Sequence, residues 1–212
     1  MLVYCNNFFS GNDILVDRKS NVCYLLIHKN GSTSLENLAN SNPERYELHQ
    51  ADFLDRNKIE EVVVFIRDPI ERFFSGLKTQ MEIYKIPSTV ITDIINRDRY
   101  ITFFDLHTTP QFWVILGLGK RCQIKFKLLP MSELHTVDPT IRHLNKGSSS
   151  IRLEPTDEAL QRLDHFYTED IIMYNNFLNR VVSVDDIIEK IKLEKIFVAD
   201  VAQYKQMLTY LL

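Results

Sequence analysis

The stretch Glu61-Val62-Val63-Val64-Phe65-Ile66-Arg67-Asp68-Pro69-Ile70-Glu71-Arg72-Phe73-Phe74-Ser75-Gly76-Leu77 decides the fold. After Glu61, the residues to Ile66 form a continuous apolar run, the pattern of a parallel strand covered on both faces. The run stops at Arg67-Asp68-Pro69, where helix-start chemistry is dense. Asp68 suits the N-cap, Pro69 the first helical position and Glu71 the capping-box acid. Helical spacing through Phe73, Phe74 and Leu77 carries the helix towards Tyr84, and Pro87 ends it.

The pattern repeats upstream. Asn21–Ile27 (NVCYLLI) is predicted as a buried strand running into His28–Ser34, followed by helical spacing over Leu35–Ala39. Arg45–His49 is predicted as a shorter strand and Gln123–Leu128 as a further one. Asp157–Leu178 and Val184–Leu212 read as mostly helical, the first with apolar residues at Leu160, Leu163, Phe166, Ile171 and Tyr174. Strands alternating with helices predict an α/β domain of three layers, a central parallel sheet flanked by helices. The domain is expected over residues 1–180, with 181–212 a helical tail packed on it.

Composition narrows the function classes. The 212 residues are 45% hydrophobic and 25% charged, which supports a full core and excludes disordered or fibrous chains. The formal net charge of -3 gives no basic surplus, so nucleic acid is not an expected partner and any anion site must be local. Cys5, Cys23 and Cys122 are far apart and form no zinc pattern; three buried or half-buried reduced thiols are expected. The N-terminus lacks signal-peptide character and no apolar run is long enough to span a bilayer. A soluble, cytoplasmic protein without a membrane partner is expected.

Two motifs fall at strand ends, where ligands sit in open α/β sheets. The first is His28-Lys29-Asn30-Gly31-Ser32-Thr33-Ser34. A glycine and three hydroxyl residues at a helix N-terminus present backbone N–H groups to an anion, and Lys29 adds a full charge. This phosphate or sulfate cradle makes the expected domain P-loop-like, although its lysine precedes the glycine and so is not a Walker A lysine. A Ser/Thr-rich cap with an incidental lysine is the competing reading. The second motif starts at Arg67. Capping chemistry explains Asp68, Pro69 and Glu71, but not an arginine ending an apolar strand or Ser75 two turns later on the same side. A buried arginine there requires an anion. Together the motifs predict a ligand with two separated anionic groups.

A strand ending in HK-x-GSTS, followed by a strand ending in IRDPIERFFSGL, resembles the PAPS-dependent sulfotransferases, nearest their carbohydrate branch. The resemblance implies 3′-phosphoadenylyl sulfate (PAPS) as donor and adenosine 3′,5′-bisphosphate (PAP) as product. It implies Lys29, Asn30, Gly31, Ser32, Thr33 and Ser34 at the phosphosulfate, and Arg67 and Ser75 at the 3′-phosphate. Three further segments are similar to the family. These are Asp105–Gln111 with its H-x-x-P-Q pattern, Leu144–Ser148, and Phe166–Tyr174 with its Y-x-x-D pattern. The likeness spans roughly residues 21–178, the size of one domain.

Sulfuryl transfer demands in-line positioning and stabilisation of the leaving oxygen. Lys29 and the loop N–H groups are placed for that, and no metal is expected. The acceptor, a glycan or other hydroxyl compound, needs a general base. His107 is the first choice, with His49 and Glu47 close behind, and each could equally hold a purely structural place. His28 is expected to pack beside the loop, and Arg72 to pair with Glu71 or Asp68. The acceptor pocket is expected around Lys78–Thr109. The rival readings are a P-loop nucleotide kinase or NTPase, and a non-catalytic nucleotide-binding module of the same fold.

Overall fold

The computed structural model describes residues 13–97, 107–141 and 153–195. It is an α/β fold built on one six-stranded sheet in the order β3-β1-β2-β4-β5-β6. The strands are β1 (Ile14–Asp17), β2 (Val22–Leu25), β3 (Tyr46–His49), β4 (Glu61–Ile66), β5 (Lys125–Pro130) and β6 (Arg180–Val182). β2, β4 and β5 run parallel, whereas β1 is antiparallel to both its neighbours and β6 is antiparallel to β5. The parallel sheet expected from the sequence holds at the centre, β2-β4-β5, and is corrected at both edges, where the strands are antiparallel.

The cause at one edge is a tight turn. Asp17 Oδ1 accepts the N–H of Lys19 at 2.9 Å, its carbonyl accepts Asn21 N–H at 2.7 Å, and Asn21 takes a left-handed φ of 56°. This turn folds β1 back on β2, a pairing that the short Ile-Leu-Val-Asp run does not advertise. Asp17 is then locked from β3's side by Arg45, whose guanidinium grips both carboxylate oxygens at 2.9 and 3.2 Å. Burial opposes ionisation of Asp17, but the Arg45 bond and the Lys19 N–H outweigh it and hold the carboxyl at about 2.

Helices cover both faces. They are α1 (Ser32–Ser41), α2 (Asp52–Arg56), α3 (Pro69–Tyr84), α4 (Ser88–Arg97), α5 (Gln111–Cys122), α6 (Asp157–Phe166), α7 (Thr168–Phe177) and the helical run 184–195, called α8. Leu35, Leu38 and Ala39 of α1 pack with Leu15, Tyr24, Val63 and Phe65 on one face. On the other, Val62, Val64, Phe126 and Leu128 meet Ile115 and Leu118 of α5, Met173 of α7 and Ile187 and Ile191 of α8. Alternate β4 side chains thus enter opposite cores, as period-2 geometry requires. Full burial of each contributes about 1.5–3 kcal/mol. A third apolar cluster joins α3, α4 and α6 through Phe73, Leu77, Ile91, Ile95 and Leu163.

The mostly helical reading of Asp157–Leu178 holds, as two helices, α6 and α7, that meet at Tyr167, whose backbone leaves helical values and whose hydroxyl donates to the Thr108 carbonyl. β5 begins at Lys125 and runs to Pro130, two residues later than predicted. Cys23 is buried and Cys122 half-buried, both as free thiols, whereas Cys5 lies outside the described residues. No helix among the described residues is long and apolar enough to cross a membrane.

Candidate functional site

The first motif is a loop whose backbone is bent twice into left-handed territory, at Lys29 (φ 68°) and Gly31 (φ 82°). Glycine adopts that conformation freely, but for a lysine it costs about 1–2 kcal/mol. The bend aims Lys29 at α3, where its Nζ donates to Thr79 Oγ1, and Thr79 in turn donates to the Ser75 carbonyl at 3.4 Å. Gly31 is the N-cap of α1, and among the described residues the helix has no side-chain cap and no acid in its first turn. Its first main-chain bond is Leu35 N–H to Gly31 C=O at 3.1 Å, so the N–H groups of Ser32, Thr33 and Ser34 form the positive end of the helix. Ser32 and Ser34 are buried, and Thr33 is exposed. The positive φ favours glycine there, and a Cβ on Gly31 would also come within 2.6 Å of the Leu134 side chain, which would have to give way.

The second motif behaves at its cap as the sequence predicts. Asp68 accepts the N–H of Glu71 at 2.9 Å and Pro69 opens α3. Its arginines trade places with expectation. Arg67 is not buried: its side chain is 31% exposed and its Nε lies 3.4 Å from Glu71 Oε2, one turn along α3. Arg72 is the buried one. It pairs with neither Glu71 nor Asp68; its Nε donates to the His28 carbonyl at 3.0 Å and its Nη1 to the Thr109 carbonyl at 2.6 Å. The strand ends one residue before Arg67, which leaves that side chain at the sheet's rim, whereas Arg72 falls on α3's inward face.

β2 and β4 are parallel neighbours with Leu25 opposite Val64, and continuing that register sets His28 level with Arg67. A single oxygen joins the two motifs. Gln111 Oε1 accepts from Asn30 Nδ2 at 2.6 Å and from the Arg67 N–H at 3.0 Å. Gln111 Nε2 donates to the Arg67 carbonyl at 2.9 Å, so its amide pairs with both main-chain groups of Arg67 as a neighbouring strand would. Asn30 also donates to the Phe65 carbonyl at 2.8 Å. Both its amide hydrogens are committed to protein, so Asn30 has no side-chain donor left to offer an anion.

Gln111 opens α5, and α5 is capped from another helix. Asp170 on α7 accepts the N–H groups of Gln111 at 2.8 Å and Phe112 at 2.6 Å. Complete burial pushes the Asp170 carboxyl up to about 6, against the pull of the Phe112 N–H, the Arg72 charge and the Gln111 donors. The Tyr167 hydroxyl holds the Thr108 carbonyl beside it. The H-x-x-P-Q and Y-x-x-D segments, read from sequence as separate likenesses, are thus one packed unit behind the loops that follow β2 and β4.

His107 sits at the front of that unit, its ring 5.1 Å from the ring of His28. Gly76 makes the approach possible: a Cβ there would stand 2.5 Å from the His107 carbonyl oxygen and 2.9 Å from its carbon. Lys29–Ser34, Ser75, Arg67 and His107 are therefore gathered at the carboxyl ends of β2 and β4. Glu47 and His49 are not gathered with them. They lie on β3, two strands from β2, where Glu47 pairs with Arg18 at 2.7 Å and His49 stacks on Phe53 with rings 4.0 Å apart. His49 Nε2 stands 3.3 Å from Glu47 Oε2.

Asp105, Leu106 and Leu144–Ser148 lie outside the described residues, as do Arg99, Tyr100, Phe103 and Phe104 of the expected acceptor region. Within that region Arg97 pairs with Asp93 at 3.3 Å and Tyr84 is exposed. Sequence reasoning missed Gln111, Asp170 and Arg72 as the framework of the site. The signal available was their type: three strongly polar residues, each followed directly by an apolar one (Phe73, Phe112 and Ile171), and such residues enter a core only when paired. Comparison with known proteins returns no matching family, no similar curated protein and no similar solved structure.

Proposed function

We propose that the chain is a sulfotransferase that moves a sulfuryl group from PAPS to a hydroxyl acceptor, with a carbohydrate as the acceptor class. The observation that carries this reading is the Lys29–Thr79 contact. It brings the loop at the end of β2 against the face of α3 that bears Ser75, with Arg67 at that helix's start. Lys29, Arg67 and the N-terminus of α1, all at the carboxyl ends of β2 and β4, are the kinds of group that hold a ligand anionic at both ends. The same loop, placed between a parallel strand and a helix with a glycine cap, supports a P-loop-like form of the fold.

In this reading the N–H groups of Ser32–Ser34, with Lys29, hold the 5′-phosphosulfate, and Arg67 and Ser75 hold the 3′-phosphate. The acceptor oxygen forms its bond to sulfur as the bond from sulfur to the phosphate oxygen breaks. The electron pair departs on that phosphate, giving PAP, and the acceptor proton passes to His107. Lys29 and the α1 terminus act where negative charge grows on the leaving oxygen. His107 is preferred over Glu47 and His49 because it alone adjoins the loop, through His28.

The test is incubation with sulfur-labelled PAPS and a panel of hydroxylated glycans, with release of PAP and label transfer both measured. Transfer that disappears in His107→Ala and Lys29→Ala supports the reading. Tight PAP binding with no transfer to any acceptor would leave only a nucleotide-binding module.

A further inference from the structure

We infer that Gln111 is a positioning residue that sets the spacing between the two anion loops, with Asp170 holding it in place. Gln111, Asn30 and Asp170 are all buried, where polar atoms left without a partner are costly. Arg67 offers one N–H and one C=O to the Gln111 amide, and only one orientation of that amide answers both. Oε1 therefore faces Asn30, which in turn must present Nδ2. The second Nδ2 hydrogen goes to Phe65, the penultimate residue of β4. Asn30 Oδ1 is left buried without a partner among the described residues. The orientations of the Gln111 and Asn30 side-chain amides both follow from the Arg67 main chain.

Gln111 cannot shift without breaking the cap that Asp170 places on α5 at 2.8 and 2.6 Å. Behind it, Arg72 ties the His28 carbonyl of the first loop to the Thr109 carbonyl two residues before Gln111. The chain of bonds therefore runs from α7 through α5 to both loops. Asn30 sits between the two left-handed residues, so its side-chain bonds fix the turn that aims Lys29. The Arg67 main chain fixes the start of α3. Gln111 carries no charge to the ligand; it determines how far apart the charged groups stand.

A ligand held at two ends senses that distance, whereas a ligand held at one end does not. The inference rests on the sulfotransferase reading for its probe, PAP. The experiment compares wild type, Gln111→Met, which keeps volume but removes the amide, and Asn30→Ala, which cuts the link to one loop. Each is titrated with PAP, adenosine 5′-monophosphate and adenosine 3′-monophosphate, and backbone hydrogen exchange is measured over residues 28–35 and 65–70. Both variants are expected to lose at least about tenfold more affinity for PAP than for either monophosphate. Exchange should quicken in 28–35 for both variants and in 65–70 for Gln111→Met, with β4 above Phe65 still protected. Equal losses for all three nucleotides, or unchanged exchange in 28–35, overturns the inference. Gln111→Met failing to fold moves the decision to Asn30→Ala, read by the same two criteria. If wild type binds none of the nucleotides, the sulfotransferase reading falls by itself, and the exchange comparison alone decides the place of Gln111.

Discussion

Asp170 Oδ2 accepts the backbone N–H of Gln111 at 2.8 Å, so a carboxylate on α7 supplies the cap that α5 lacks in its own sequence. Pro110 occupies the N-cap position and has no side-chain acceptor to offer. The cap reaches across 59 residues of chain and fixes the point from which the loops after β2 and β4 are braced.

This carboxylate gives stability a distinctive pH dependence. Burial raises its folded pKa to about 6, above the ordinary 3.8, so between those values the folded state binds the extra proton. Stability from this group therefore falls as pH rises from about 4 to about 6, by about 3 kcal/mol in total. Urea unfolding of wild type and Asp170→Asn between pH 4 and 7 checks it. The wild-type midpoint should drop along that limb relative to the variant; parallel curves would refute the assignment.

The two arginines of the second motif should separate stability from binding. Arg72→Met leaves the His28 and Thr109 carbonyls without their donor and removes a positive charge that favours ionised Asp170, a loss of about 3–5 kcal/mol. Arg67→Ala removes a side chain whose exposed contact with Glu71 contributes about 0–1 kcal/mol. Arg67→Ala should fold normally and lose PAP affinity, by about 1.5–3 kcal/mol for each charge-assisted bond. Thermal unfolding and calorimetry on the same preparations distinguish the outcomes; a destabilised Arg67→Ala or a robust Arg72→Met would reverse the roles.

Gly76→Ala tests how tightly α3 meets the His107 segment. The added methyl would lie 2.5 Å from the His107 carbonyl oxygen, a backbone atom that cannot rotate away. Overpacking of this kind costs about 1–3 kcal/mol, and it displaces the proposed base. Lower thermal stability together with a fall in kcat greater than the rise in donor KM is expected. Wild-type stability would mean that the contact is looser than described.

Lys29 combines a strained backbone with a charged head. Lys29→Ala keeps the left-handed φ of 68° and removes the contact to Thr79. Turnover should fall more than donor affinity, because charge on the leaving oxygen develops only in the transition state. Steady-state kinetics with PAPS provide the comparison, and a fully active variant would remove Lys29 from the mechanism.

Much of this arrangement was legible from local chemistry. The β4 run, the Asp68–Pro69–Glu71 cap and the Gly31 loop are encoded within a few residues, and all three stand where the sequence placed them. What local chemistry did not carry was partnership at a distance. α5 is a near-continuous apolar run, Gln111–Cys122, with two glycines, so it has little periodicity to mark it as helix. Arg67 and Arg72 are the same residue type five positions apart, and only the packing of α3 decides which of them is buried. Tyr167 breaks a helical pattern because Thr108, far away in sequence, takes its hydroxyl.

Calorimetric titration of the protein with adenosine 3′,5′-bisphosphate, against ATP with Mg²⁺, tests the central claim most directly. Metal-independent binding in the micromolar range, about -8 kcal/mol, is expected, together with its loss in Arg67→Ala. Absence of bisphosphate binding, or a preference for Mg·ATP, would contradict it and point instead to nucleotide phosphoryl chemistry.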